Sequence, residues 1–230
     1  MGDLMAGLKR IGKYLFRDIV GYDDVKDLLI RALKSHGDGL PVHFLLVGSP
    51  STAKTQFLLA LRRLKDAEYV LGSRTTRAGL SSLLIEKKPK ILLIDEMDKM
   101  RDVDYGVLLS LCETGIVVET LHKRFRVEKL ETMVIGACND LSRIPYELQS
   151  RFIILKFKPY TFNKFRKVVK FVLTKKIGIS TRMANKIAML VWHELGSRDV
   201  RDAINIAKLV RNERRTRRVS SIIKTMTKYS

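Results

Sequence analysis

Gly48-Ser49-Pro50-Ser51-Thr52-Ala53-Lys54-Thr55 follows the short apolar run 42–47 and leads directly into residues 55–64, whose composition suits a helix. Strand, glycine-bounded turn and helix in that order make half of a βαβ unit. The spacing is that of the phosphate-binding loop GxxxxGK[ST], with Ala53 standing where the pattern has glycine. In such a loop the backbone N–H groups and the following helix N-terminus cradle a polyphosphate. The lysine reaches the outer phosphates and the adjoining hydroxyl goes to Mg²⁺. Lys54 and Thr55 are the residues for those two tasks, and Gly48, Ser49, Pro50, Ser51, Thr52 and Ala53 form the cradle.

A second stretch, Ile91-Leu92-Leu93-Ile94-Asp95-Glu96, is an apolar strand that ends in two carboxylates about 40 residues further on. Continuous apolarity is expected of a parallel strand covered on both faces. At its carboxyl end Asp95 is suited to orient hydrated Mg²⁺, and Glu96 to polarise an attacking water. Further strands are expected at 133–137 and 152–157, with helices at 22–34 and 105–114 and a β-hairpin at 116–127 whose turn falls near His122 and Lys123. After Thr161 the pattern becomes helical alone, at 162–175, 181–195 and 200–211. The expected fold class is therefore α/β, a parallel sheet flanked by helices over residues 1–160, followed by a small all-helical domain over 161–230.

The 230 residues carry 44 Lys plus Arg against 24 Asp plus Glu, a net charge of +20, with 46% hydrophobic residues. Such a chain can bury a core, which argues against a disordered or fibrous protein. The charge points to a polyanionic partner or an anionic surface. Residues 161–230 hold 18 of the basic residues and four acids, a net +14, densest at residues 211–218, which suit an extended helix or a flexible tail. Two cysteines, Cys112 and Cys138, in a chain without a secretory signal lead us to expect reduced thiols and a cytoplasmic protein. No apolar run approaches the roughly 18 residues that cross a bilayer, so no membrane-spanning role is expected, while attachment to a surface stays open.

Taken together, these motifs resemble those of an AAA+ ATPase over nearly the whole chain. The resemblance implies a P-loop core, a helical lid, ATP and Mg²⁺ as cofactors, and a homo-oligomeric ring, commonly hexameric. Asp18-Ile19-Val20-Gly21 is similar to the segment that lies against adenine, which assigns Val20 and Gly21 to the nucleotide. Asn139, at the end of the strand 134–138, matches the first sensor, which places water against the γ-phosphate. Ser150-Arg151-Phe152 matches the box whose arginine serves the neighbouring subunit's nucleotide. Arg201, in Asp199-Val200-Arg201-Asp202-Ala203, matches the second sensor on the lid.

Two subgroups share more. Alanine before the loop lysine, the continuation Lys54-Thr55-Gln56-Phe57-Leu58, and Ile94-Asp95-Glu96-Met97-Asp98-Lys99-Met100 are similar to minichromosome maintenance (MCM) helicases, as is Arg77-Ala78-Gly79-Leu80. From Ser150 onward the compact lid resembles that of RuvB, a branch-migration motor. Both groups project a β-hairpin before the first sensor. Here it offers Lys123, Arg124 and Arg126, cations able to track phosphates without reading bases. The expected function is an ATP-hydrolysing ring that moves along or remodels DNA, as a helicase, translocase or branch-migration motor. Alternatives are an ATP-dependent DNA loader or initiator, a MoxR-like protein-remodelling ATPase, and a small nucleotide-binding adaptor. No base-reading module is evident, so any sequence specificity would come from a partner protein.

Overall fold

In chain order the strands are β1 (Phe44–Gly48), β2 (Ala67–Leu71), β3 (Ile91–Asp95), β4 (Ile116–Leu121), β5 (Arg124–Lys129), β6 (Met133–Cys138) and β7 (Ile153–Phe157). Five of them form one parallel sheet in the order β2-β3-β6-β1-β7, while β4 and β5 pair as a separate antiparallel hairpin. Phe44 of β1 stands opposite Ile135 of β6 on one side and Ile153 of β7 on the other. Every residue of β3 and β6 is buried. Both faces of these strands are covered, which is why their sequences are apolar runs rather than alternations. The structure, a computed structural model, describes residues 12, 14–37, 39–121, 124–210 and 217–229.

The helices of the first part are α1 (Asp23–Gly37), α2 (Lys54–Leu61), α3 (Arg77–Lys87), α4 (Tyr105–Thr114) and the single turn α5 (Tyr146–Gln149). α1 opens on Asp23 and Asp24 and closes on Lys34, each charge opposing the helix-end dipole. α3 begins where the Thr76 hydroxyl accepts from the Gly79 amide at 3.2 Å. Gly115 stops α4 at φ 74°, and a Cβ there would stand 2.5 Å from the Leu130 carbonyl oxygen, so only glycine allows this entry into the hairpin.

The helical third consists of α6 (Phe162–Val172), a π-turn at Leu173–Ile177, α7 (Thr181–His193), α8 (Val200–Leu209) and α9 (Arg217–Tyr229). Thr161, Ser180 and Asp199 cap α6, α7 and α8 by accepting from backbone amides of their first turns. These helices enclose their own core. Phe165, Val169, Ile187, Val191, Ile206, Val219 and Ile223 are fully buried, each contributing about 1.5–3 kcal/mol of apolar burial.

The chain divides into two compact units. The first comprises Met1–Asp18, Tyr22–Ser49 and Ala53–Phe157; the second comprises Ile19–Gly21, Pro50–Thr52 and Lys158–Ser230. In the first unit Leu45, Leu92, Ile94, Leu108 and Val134 belong to one core cluster. A second, aromatic group is built by Phe57, whose ring lies 5.3 Å from Phe16 and 5.6 Å from Phe157.

The expected α/β architecture and helical tail are present. Three elements of the first unit were not anticipated, β2, α3 and the single turn α5. β2 is half-exposed at every position, so neither alternation nor a continuous apolar run marks it. The helix expected at 162–175 turns into a π-turn after Val172. Of the arginine-rich stretch, residues 211–216 lie outside the described residues, and Arg217 opens α9.

Candidate functional site

β1 ends in Gly48, opposite Phe157 of β7, and a Cβ on Gly48 would lie 2.4 Å from the Phe157 carbonyl oxygen. Glycine is therefore required for the strand to pair as closely as it does. Beyond it, Ser51 and Ala53 adopt left-handed backbone conformations, φ 64° and 75°. Ala53 precedes the first residue of α2 in a conformation that glycine adopts without steric cost, which explains why glycine is usual at that place in phosphate loops. Alternating left- and right-handed residues turn successive N–H groups to one side, a geometry that receives anions.

Lys54, in the first turn of α2, is buried and donates through Nζ to the carbonyl oxygens of Gly48 and Ser49, at 2.7 and 2.9 Å. Burial pushes its ammonium below the usual lysine range, an effect that the nearby Cys138, Asp95 and Asp98 oppose. Thr55 and Gln56 follow on the exposed side.

Asp95 closes β3 and is buried; its carboxylate accepts from the Tyr69 hydroxyl at 3.0 Å and from the Glu96 amide at 2.9 Å. Burial and the Asp95 charge push the Tyr69 phenol up to about 12, so it stays a donor at every physiological pH. Glu96 is exposed, left-handed at φ 52°, and accepts at Oε2 from the Ser73 hydroxyl at 3.0 Å. Gly72 makes room for this turn, because a Cβ there would stand 2.4 Å from the Glu96 carbonyl oxygen. Asp98 is buried and accepts through Oδ2 from the amides of Asn139 and Asp140, at 3.2 and 3.1 Å, while its Oδ1 has no partner among the described residues. Asn139 itself is exposed just past β6.

Lys54, Asp95, Glu96 and Asn139 thus gather at the carboxyl ends of β1, β3 and β6, parallel strands in which β6 lies between the other two. This is the edge at which open parallel sheets bind ligands. The donor set suits a polyphosphate with a hard divalent cation: one ammonium, one hydroxyl, one carboxylate and a helix N-terminus. Among the described residues no group of three or more His, Cys, Asp or Glu side chains could hold a metal alone. Mg²⁺ held partly by substrate phosphates needs no such group.

Arg151 is elsewhere. It precedes β7, whose first residue pairs with the first residue of β1, so it belongs to the opposite edge of the sheet, roughly 16 Å from the loop at ~3.3 Å per strand residue. There its guanidinium donates to Glu113 at 2.8 Å and to the Ser150 hydroxyl at 3.3 Å. Arg201 lies in the helical unit, which includes Pro50–Thr52. It pairs with Asp199 at 2.9 Å and donates to the Ser51 hydroxyl at 3.1 Å. Burial raises the Asp199 carboxyl, but hydrogen bonds with Ser51 and the Arg201 amide, together with the Arg201 charge, leave it below the usual range. Val20 is half-buried and Gly21 left-handed at φ 72°, with the Lys164 Cε 3.5 Å from where its Cβ would be.

In the hairpin, Lys123 lies outside the described residues. Arg124 pairs in register with Leu121 at the ends of the two strands. Arg126 is 3.9 Å from Glu119, which is itself buried and hydrogen-bonded by Ser82 of α3. The other hairpin face exposes Val118, Phe125 and Val127. Sequence reading missed Tyr69, Ser73, Asp98 and Glu113. Tyr69 and Ser73 stand on and just after the unrecognised β2, whose one legible signal is an Ala-to-Leu run ending at Gly72.

The fold is similar to that of a RuvB variant from Thermotoga maritima, with a TM-score of 0.67 at 22% identity, covering 84% of this chain and 64% of that one. The minichromosome maintenance protein MCM of Saccharolobus solfataricus is 27% identical over 216 residues, 75% of this chain and 31% of the relative. The Lon protease of Campylobacter jejuni is 25% identical over 195 residues, 73% of this chain and 25% of the relative. The chain thus spans about a third or less of the length of these two relatives. Residues 44–160, more than half of the chain and including the phosphate loop, the acidic strand, Asn139 and Arg151, match the family model of ATPases associated with various cellular activities, and the chain belongs to this AAA family.

Proposed function

We propose that this protein hydrolyses ATP in a homo-oligomeric ring, hexameric as such rings commonly are, and uses the energy to move along or remodel DNA. The observation that carries the reading is the gathering of Lys54, Asp95, Glu96 and Asn139 at one sheet edge beside a loop built for phosphate. Residues 1–160 act as the nucleotide-binding domain and residues 161–230 as the lid. Val20, Gly21 and residues 48–56 hold the nucleotide. Mg²⁺, held by Thr55 and Asp95, would offset phosphate charge. Glu96 takes the proton of the attacking water, and Asn139 orients that water. Arg201 serves its own subunit, and its bond to Ser51 supports a role at the loop. Arg151 serves the neighbour's nucleotide, and its place at the far sheet edge supports action in trans. Lys123, Arg124 and Arg126 contact the DNA backbone, with specificity left to a partner protein. The free thiols Cys112 and Cys138 suit a cytoplasmic setting.

Glu96→Gln is expected to bind ATP as the unmodified chain does and to abolish turnover. Normal turnover in that variant would remove Glu96 from its role. The wider reading is tested by ATPase rates with single-stranded, duplex and four-way DNA across a salt series, where stimulation that fades with salt is expected. A second reading, protein remodelling, is favoured by the similarity to a Lon protease. A flat response to all three DNA forms, with stimulation by an unfolded protein, would select it.

A further inference from the structure

No acidic residue occurs between Glu147 and Glu194, a stretch that includes all of α6, the π-turn and α7. α6 buries Phe165, Val168 and Val169 in the helical unit, so Arg166, Lys167 and Lys170 share the opposite face and are exposed. Lys175 and Lys176, exposed on the π-turn, continue this basic surface. Among the described residues none of the five forms an ion pair; the Arg166 guanidinium lies 5.9 Å over the Phe162 ring.

Like charges one turn apart repel, so this arrangement is a cost to the isolated helix. We propose that the face of Arg166, Lys167, Lys170, Lys175 and Lys176 is a contact surface for a nucleic-acid phosphate backbone, an inference that rests on the DNA reading above. A membrane surface fits poorly. Interfacial helices bury an apolar face in lipid, whereas α6 spends its apolar face on its own unit, and no large exposed hydrophobic residue lies between Ile153 and Met189. An acidic protein fits less well for a related reason, since protein interfaces centre on apolar or aromatic anchors and this surface exposes no large hydrophobic residue. A phosphate backbone asks only for cations in succession, about a helical turn or ~5.4 Å apart here.

The test uses the full chain and a labelled oligonucleotide of mixed sequence, single-stranded and duplex, titrated over a salt series. Replacing three phosphate contacts through Arg166→Gln, Lys167→Gln and Lys170→Gln together should weaken binding to both forms and make log affinity against log salt shallower by about 2 to 3. Lys167→Arg with Lys170→Arg should bind as the unmodified chain does. Lys175→Gln with Lys176→Gln probes the same surface from the next turn, and unchanged melting transitions separate lost contacts from lost folding. If the unmodified chain binds DNA and both Gln variants bind with the same slope, the surface is not the contact. If the unmodified chain binds no DNA even at low salt, the DNA reading fails first. Polyglutamate that competes as well as DNA at equal charge would overturn nucleic acid in favour of an acidic protein.

Discussion

Ala53 occupies a left-handed conformation that costs an L-residue roughly 1–2 kcal/mol, whereas glycine adopts it freely. Glycine also gives the unfolded chain ~0.5–1 kcal/mol more entropy to lose, so the two effects nearly cancel. Ala53→Gly is accordingly expected to leave urea stability unchanged or raise it by up to about 1 kcal/mol. A clear loss would mean that the Ala53 methyl is itself packed. His43 poses a different question at the same scale. It is buried, its Nδ1 accepts from the Val134 amide at 3.0 Å, and burial lowers its pKa below the usual histidine value. The folded chain therefore holds the neutral ring while the unfolded chain protonates, so the unfolded state binds more protons below the unfolded pKa of about 6.5. Stability from this residue is complete above that pH and falls as pH drops toward the lower folded value, by at most about 1.4 kcal/mol per pH unit. His36, whose pKa is also lowered mainly by burial, adds in the same direction. Urea midpoints measured from pH 7.5 to about 5.5 should decline, and His43→Gln should flatten the decline; an unchanged slope would show that other groups cause it.

At the scale of elements, Asp98 joins the turn after β3 to the turn after β6 by accepting two backbone amides through one oxygen. Asp98→Ala would leave both amides without their acceptor, a loss of about 1–3 kcal/mol, and would release Asn139 from its position. Asp98→Asn keeps a carbonyl acceptor of the same shape and should retain most stability and turnover. Equal loss in the two variants would mean that the charge, and not the acceptor, matters. The pair between Arg151 and Glu113 links the end of α4 to the turn before β7. Both side chains are largely exposed, and such a pair contributes about 0–1 kcal/mol. Breaking it therefore costs the fold little. Glu113→Gln should shift urea stability by less than about 1 kcal/mol, while Arg151→Ala should sharply reduce ATP turnover, on the order of 10³-fold where an arginine supplied in trans stabilises phosphoryl transfer.

For the whole molecule, the proposed action of Arg151 on a neighbouring subunit would make activity a property of the assembly. Specific ATPase activity should rise with protein concentration. Mixing Lys54→Ala with Arg151→Ala should restore activity that neither shows alone, because each supplies what the other lacks; no recovery would argue for action within one subunit. Much of this site was legible from residues 48–55, 91–96 and 134–139 alone, because a phosphate loop or a carboxylate at a strand end requires particular residue types within a few positions of one another. The α/β class was equally legible, since buried parallel strands must be apolar along their whole length. β2 was not, being half-exposed throughout. Nor were the contacts of Tyr69 with Asp95, Ser73 with Glu96, Asp98 with Asn139 and Arg151 with Glu113, whose partners are 23 to 41 residues apart. Those depend on the strand order β2-β3-β6-β1-β7, which no local periodicity encodes. By itself the sequence determined which residue types stand together in the loop and at the strand ends, through spacing that the backbone enforces locally. The tertiary structure alone decided that Glu96 is held by Ser73 and that Arg151 lies at the far edge from the loop, because packing a parallel sheet sets which strand ends meet.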